Sequence, residues 1–169
     1  MTVRPVTALD APACASIYAP SVEGSAISFE EVAPDAREML GRMDHSIAWR
    51  VDERDGVIAG FAYAGRHRER AAYRWAVDVA VYVDPAFRRQ GVGRALYADL
   101  LPAVTRLGYF RAYAGITLPN AASVGLHEAV GFTPVGVYRR VGWKHGAWHD
   151  VGWWELDLRG DEVPPGAVA

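Results

Sequence analysis

The sequence holds one cysteine, Cys14, so no internal disulfide framework is open to it. A lone thiol in an alanine-rich stretch reads as a small core residue of a first helix, and its scarcity suits a reducing compartment. The cytoplasm is the expected location. No apolar run approaches the ~20 residues that span a bilayer, and the amino terminus lacks the apolar region of a signal peptide. An excess of one charge is missing too. Lys and Arg number 18 against 20 Asp and Glu, a formal net charge of -2. Such a balance gives no general case for nucleic-acid or membrane partners. Repeats and low-complexity blocks are absent. With 51% of its 169 residues apolar, the chain is expected to be ordered and to bury a core without staples. One domain is expected over residues 1–159, followed by a flexible Pro/Gly-rich tail at 160–169.

What the chain does contain is a stretch, residues 79–96, around which the rest is organised. It opens with a β-rich apolar run through Val83, with Tyr82 inside it, and reads as a buried strand. Asp84-Pro85 breaks the strand. Two glycines one residue apart, Gly91 and Gly93, then stand among Arg88, Arg89 and Arg94, and Val92, Leu96, Leu100 and Val104 follow at a spacing of four. That spacing draws one apolar stripe along a helix. A strand entering a glycine loop that opens a helix is a phosphate cradle in physical terms. The first helical amides lack partners, the dipole adds partial positive charge, and glycine lets an anion reach the backbone. A P-loop would need a lysine after Gly93, and none follows. A Rossmann fingerprint would need a small residue where Leu96 stands and an acid after Leu107, where Arg111 is found instead. The other reading of the loop is a glycine-softened helix start with solvated arginines.

The remaining elements follow from period and punctuation. Residues 3–6 form a candidate strand. Thr7 with Asp10 resembles a capping box that opens a helix stopping before Pro20, and residues 21–28 read as a loop delivering Phe29. A second helix is expected over 35–43. Strands are expected over 47–51 and 57–64, joined at Asp55-Gly56, a strong hairpin signal. The loop 65–72 carries Arg66, His67, Arg68, Glu69 and Arg70, and a long central strand covers 73–83. Pro102 predicts a kink or break in the helix after Gly93. A strand over 109–116, a helix from Asn120 to the Gly131 cap, and an antiparallel pair over 133–141 and 148–158 complete the chain. The order β-α-α-β-β-β-α-β-α-β-β predicts a mixed α/β sheet with helices on both faces.

The run Arg88-x-x-Gly91-x-Gly93 resembles the pyrophosphate loop of the GNAT acetyltransferases, whose element order is similar to this one. The resemblance implies a mixed, mostly antiparallel sheet and acetyl-CoA as co-substrate. It also implies cofactor contacts from Val81, Tyr82, Val83, Arg88, Arg89, Gln90, Gly91, Val92, Gly93 and Arg94. A bulky residue at 93 is then expected to weaken acetyl-CoA binding and leave the fold intact. The segment from Asn120 through Ser123 and His127 to Phe132 looks like the family's fourth helix. There an asparagine bonds the pantetheine arm, and a residue one turn later, commonly tyrosine, faces the sulfur. His127 holds that place here. Ala62-Tyr63-Ala64-Gly65, Ala72-Tyr73, Leu126-His127-Glu128-Ala129 and the stretch from Gly142 to Val151 are similar to the branch that acetylates phosphinothricin, methionine sulfoximine and methionine sulfone.

Acetyl transfer from a thioester requires a neutral amine, because an ammonium has no lone pair, so a base helps. Asp78 is the only carboxylate on the central strand. The branch usually has glutamate there, and Asp78 is one methylene shorter, a gap a water can bridge. Asp78 is expected to be the base, or else to hold an arginine or the substrate amine. His127 is expected to supply or relay the thiol proton, or else to be structural. Free amides near Val81 to Val83 suit an oxyanion. Arg68 and Arg70, beside Tyr73 and Trp75, resemble the branch's amino-acid-binding loop, with Phe29 closing the pocket and Val79 on its wall. No metal is expected, although His145 and His149 stand four apart. The branch implies a homodimer, which exposed tryptophans would fit. Two other functions stay open: acetylation of a different small amine, and a non-catalytic acyl-CoA sensor.

Overall fold

Asp55 and Gly56 take φ of 51° and 80°, and His145 and Gly146 take 51° and 74°. Both pairs make two-residue turns whose twist matches the strands they join, so each closes a tight hairpin. The first hairpin links β2 (Ala48–Arg54) to β3 (Val57–Arg66), and the second links β6 (Thr133–Lys144) to β7 (Ala147–Asp157). With β1 (Thr2–Pro5), β4 (Ala76–Val83) and β5 (Arg111–Leu118) they form one sheet in the order β1-β2-β3-β4-β5-β7-β6. Every pairing is antiparallel except that of β4 with β5. This computed structural model describes residues 1–160, so the expected tail, Gly160 apart, lies outside the described residues.

Two cores hold helices to the two faces. Helices α1 (Ala11–Glu23) and α2 (Ala36–His45) bury Cys14, Ile17, Val22 and Met39 against Trp49, Val51 and Phe61. On the other face, α3 (Val92–Arg106) places Leu96, Tyr97, Leu100 and Val104 against Val77, Val79, Ala112 and Ala114, with Phe132 beyond α4 (Ala121–Ala129). Each fully buried Leu or Val side chain contributes about 1.5–3 kcal/mol. Among the described residues no helix is long and apolar enough to cross a membrane.

Packing overrides several local signals. Helix α1 does not stop before Pro20 but continues to Glu23, because Tyr18 and Val22 on either side are buried in the first core. Residues 21–23 are therefore helical. Likewise α3 runs unbroken through Pro102, with Leu100, Ala103 and Val104 buried around it. A proline forfeits one backbone bond in each helix, and the buried flanks offset that loss. The central strand begins at Ala76 and not at residue 73. Residues Ala71–Tyr73 form a 3-10 turn, since β3 ends at Arg66, opposite Val77, and offers nothing earlier to pair with.

Asp10 ties the first turn to the sheet. Its buried carboxylate accepts Arg4 Nη1 at 2.8 Å and Nη2 at 2.9 Å, along with the Thr7 amide at 2.7 Å. The Arg4 hydrogen bonds hold the Asp10 carboxyl below its usual range. A depressed carboxylate contributes stability above its ordinary value of 3.8 that is lost as pH falls through the folded value. Asp10→Asn is expected to cost about 2 kcal/mol at neutral pH. The deficit should shrink below pH 3.8, as urea melts across that range would show.

Candidate active site

Strands β4 and β5 share three rungs only: Ala76 with Arg111, Val77 with Ala112, and Asp78 with Tyr113. Beyond Asp78 they part, β4 staying on β3 and β5 staying on β7. A wedge opens through the sheet, a cleft of about 60 Å³ lined by Val79 to Tyr82, Ala114 to Thr117, Ile27, and Asn120, Ser123 and His127 of α4. On the β5 side, the backbone of residues 79–83 is left without a ladder partner. Such groups must find another partner when buried, and here they face a cleft. Alternation sends Val77 and Val79 into the α3 core, so Asp78, Ala80 and Tyr82 point to the opposite face.

At one mouth of the wedge lies the glycine loop. Gly91 caps α3 with φ of 80°, and Arg89 before it has φ of 61°. The first helical bond runs from the Ala95 amide to the Gly91 carbonyl at 2.9 Å, so the amides of Val92, Gly93 and Arg94 lie ahead of it. Arg88, Arg89, Gln90 and Arg94 are exposed around these donors. Arg54 steadies the loop from beneath, donating to the Gln90 carbonyl at 3.2 Å while bound to the fully buried Asp52 at 2.9 Å. Gly93 has a different reason for its size. A Cβ there would lie 2.6 Å from Leu126 Cδ2, so the residue sets how closely α4 packs on α3. A bulky side chain at 93 would push the two helices apart, contrary to the expectation that the fold is indifferent to it.

On α4, Asn120 caps the helix, its Oδ1 accepting the Ser123 amide at 3.1 Å. His127 is 3% exposed and both its nitrogens are engaged. A carbonyl only accepts, so Nδ1–H donates to Ser123 O at 2.7 Å and Nε2 accepts from the Tyr97 hydroxyl at 2.9 Å. Burial pushes the imidazole below its usual range, and the Ser123 bond opposes that only in part. Burial also drives the Tyr97 phenol upward, so it remains a donor.

Across the sheet, Asp78 receives His67 Nδ1–H at 2.6 Å. Burial raises the Asp78 carboxyl above its usual range, against the pull of His67. The His67 ring stacks on Tyr113 with centroids 4.6 Å apart, and meets Tyr73 and Trp153 edge-on at 5.8 and 6.3 Å. Arg68 lies 5.9 Å over the Trp153 ring. Gly115 leaves the space that ring fills, since a Cβ there would sit 3.1 Å from it. Arg70 is exposed at the start of the 3-10 turn. Trp75 stands three residues on the closed side of Asp78, under the Arg74 guanidinium at 4.7 Å. Phe29 covers the hairpin at Gly142, where a Cβ would come within 2.2 Å of its ring. His145 and His149 are apart in role, bonding the carbonyls of Ser25 and Lys144. Among the described residues no cluster of three His, Cys, Asp or Glu side chains is arranged to hold a metal.

Three participants in this region escape sequence reasoning. His67 stands in a charged loop with nothing local to pair it with Asp78. Tyr97 looks like one more apolar position of α3. Lys144, the chain's only lysine, is 8% exposed and donates to the carbonyls of Val22, Ser28 and Glu30 at 2.5–2.7 Å, pinning the loop that carries Phe29. The Glu30 carboxylate completes the clasp through Arg42 at 2.7 and 2.8 Å and Tyr18 at 2.7 Å.

Known proteins resemble this chain in sequence and fold. The family model described as Acetyltransferase (GNAT) family matches residues 15–132. A phosphinothricin N-acetyltransferase of Streptomyces viridochromogenes is 42% identical over 159 residues, 92% of this chain and 87% of its own. An L-methionine sulfoximine/L-methionine sulfone acetyltransferase of Salmonella typhimurium is 33% identical over 173 residues, 97% of this chain and 98% of that one. The solved GNAT superfamily phosphinothricin acetyltransferase of Sinorhizobium meliloti, in complex with AcCoA, superposes with a TM-score of 0.93. It is 32% identical and covers 98% of this chain and 92% of its own.

The His127 environment makes a direct prediction. Nitrogen-15 NMR should find its imidazole neutral at pH 7, with the proton on Nδ1 and a titration midpoint below the ordinary 6.5. Tyr97→Phe removes the donor to Nε2, and the Nε2 resonance should move while that of Nδ1 stays.

Proposed function

This chain belongs to the GNAT acetyltransferase family, and from that premise we propose how its wedge carries out acetyl transfer. The enzyme moves the acetyl group of acetyl-CoA to the amino group of an amino-acid-like acceptor of the phosphinothricin, methionine sulfoximine or methionine sulfone type. The amine attacks directly while both substrates are bound, and no metal takes part. The divergence of β4 from β5 just past Asp78 carries this reading, because it frees backbone groups at the only carboxylate of the strand.

The residues fit the co-substrate. The exposed Gly91 turn and the leading amides of α3 suit the diphosphate, with Arg88, Arg89 and Arg94 adding positive charge and Gln90 and Val92 completing the loop. The pantetheine arm runs along the unpaired edge of Val81, Tyr82 and Val83 toward Asn120 and Ser123, and puts the thioester in the wedge. Those free amides also meet the oxyanion of the tetrahedral intermediate. From the other face comes the acceptor, under the Phe29 loop, its acidic group held by Arg68 and Arg70 and its body walled by Tyr73. The Val79 side chain packs into the α3 core and Trp75 stands on the closed side of Asp78, so neither forms that wall. Basicity at the attack point is supplied through Asp78. His127 lines the sulfur side of the wedge as a neutral ring, and the proton it would give the departing thiolate is the one on Nδ1, released from the Ser123 carbonyl.

One domain holds both sites, in the cytoplasm, where acetylating such acceptors would confer resistance to them. A homodimer is supported by edge strand β6, which exposes Val135, Val137, Tyr138, Val141 and Trp143, with Trp148 beside them.

Thiol release from acetyl-CoA across a panel of amines tests the activity. Turnover with phosphinothricin or methionine sulfoximine is expected. Acetyl-CoA binding with no turnover on any amine would make the chain a sensor instead. Asp78→Asn should lower kcat about a hundredfold or more with acetyl-CoA affinity retained. Gly91→Val forces a β-branched residue into the left-handed region, a cost of about 1–2 kcal/mol. Calorimetry should then show acetyl-CoA binding weakened about tenfold in a folded protein.

A further inference from the structure

Asp78 and His67 are separated by one strand end and a turn, yet their side chains meet at the last rung before the sheet divides. A carboxylate only accepts hydrogen bonds, so the 2.6 Å contact fixes the His67 proton on Nδ1 and leaves Nε2 as a lone-pair acceptor. Among the described residues Nε2 has no hydrogen-bond partner, and it is not sealed from solvent. The ring is held in its plane by Tyr113 beneath and by Tyr73 and Trp153 at its edges. An oriented, tautomer-locked imidazole with one open nitrogen is therefore built at the last rung, where the wedge begins.

We propose that His67 is the group that takes the proton from the acceptor ammonium, with Asp78 as the residue that orients it. This rests on the acetyltransferase reading above and replaces direct abstraction by the Asp78 carboxylate. Base strength favours the ring. As a class imidazoles are stronger bases than carboxylates, a gap that burial of Asp78 narrows. Geometry agrees. The shorter Asp78 side chain is drawn to His67, and the ring projects the basic atom beyond it. The other charged or titratable groups that face the pair are Arg68 on its own loop, Tyr73 before β4, Tyr63 on β3, and Tyr113 on β5 with Glu155 behind it. None of these is a better base near neutrality: the phenols hold their protons there, Arg68 is a cation, and Glu155 is a carboxylate that reaches the pair only through Tyr113.

The balance closes without another reactant. The ammonium gives one proton to His67 Nε2, and the amine lone pair forms a C–N bond to the thioester carbonyl carbon. The C–S bond then breaks with its electron pair on sulfur. A second proton leaves the nitrogen and neutralises the thiolate, and the imidazolium returns its proton to solvent. Products are the amide, the free thiol and one proton.

The test is steady-state kinetics of the full chain with acetyl-CoA and the best acceptor of the panel, comparing wild type with His67→Asn. An asparagine amide donates to Asp78 where Nδ1 did, so a purely structural role survives this change, but it cannot take up a proton. The expected result is a kcat lower by about 10²–10⁴-fold, with the KM for acetyl-CoA within about twofold of wild type. A kcat within about threefold of wild type overturns the proposal. If His67→Asn does not fold, His67→Ala takes its place. Restoration of turnover by free imidazole, rising with its concentration, supports the proposal, and no restoration in a folded variant that binds acetyl-CoA overturns it. Absence of wild-type turnover with every amine overturns the acetyltransferase reading and the dyad together. Wild-type turnover with an unimpaired His67→Asn variant overturns the dyad alone.

Discussion

Parallel strands β4 and β5 exchange three rungs and then separate, and this early end to their pairing is the constraint on which the site depends. A ladder continued to Val83 would satisfy its own amides and leave nothing for a thioester. By stopping at Asp78, the sheet places unsatisfied backbone, a carboxylate and a gap between two faces at one point. The divergence is held open from both sides. β4 stays paired to β3 through Val83, while β5 stays paired to β7 through Leu118. The rigidity of the two half-sheets keeps the wedge from closing.

Different cores hold the two faces of the wedge. Helices α3 and α4 approach closely because Gly93 has no side chain to keep Leu126 away, and Tyr97 of α3 then meets His127 of α4. On the other face, the link between α1 and α2 would be a mobile loop by composition alone. Lys144 gathers three of its carbonyls, and Glu30 anchors it to Arg42 and Tyr18. Charged hydrogen bonds contribute about 1.5–3 kcal/mol each where they are shielded. The β6–β7 hairpin thereby holds the Phe29 loop in place.

Residues whose role is local were legible. Asp55-Gly56 announces its turn because both positions need positive φ. Arg88 to Gly93 announces a helix start behind a left-handed glycine because both are written within six residues. The order of elements, and with it the GNAT resemblance, follows from periodicities that burial confirms in both cores. Pro20 and Pro102 misled in the opposite sense. Their local penalty is real, but the apolar neighbours that outweigh it are partners distant in sequence.

What the sequence by itself determined was the chemistry on offer: a glycine loop suited to an anion, one carboxylate on the central strand, and arginines in the loop before it. Each of these depends on residue type and near neighbours. What only the tertiary structure decided was how those groups are paired. His67 meets Asp78 across a turn, Tyr97 meets His127 between two helices, and Lys144 reaches back more than a hundred residues to the Phe29 loop. Which proton sits on which nitrogen is set by the acceptor that the fold brings within 3 Å, and no pattern along the chain records that distance.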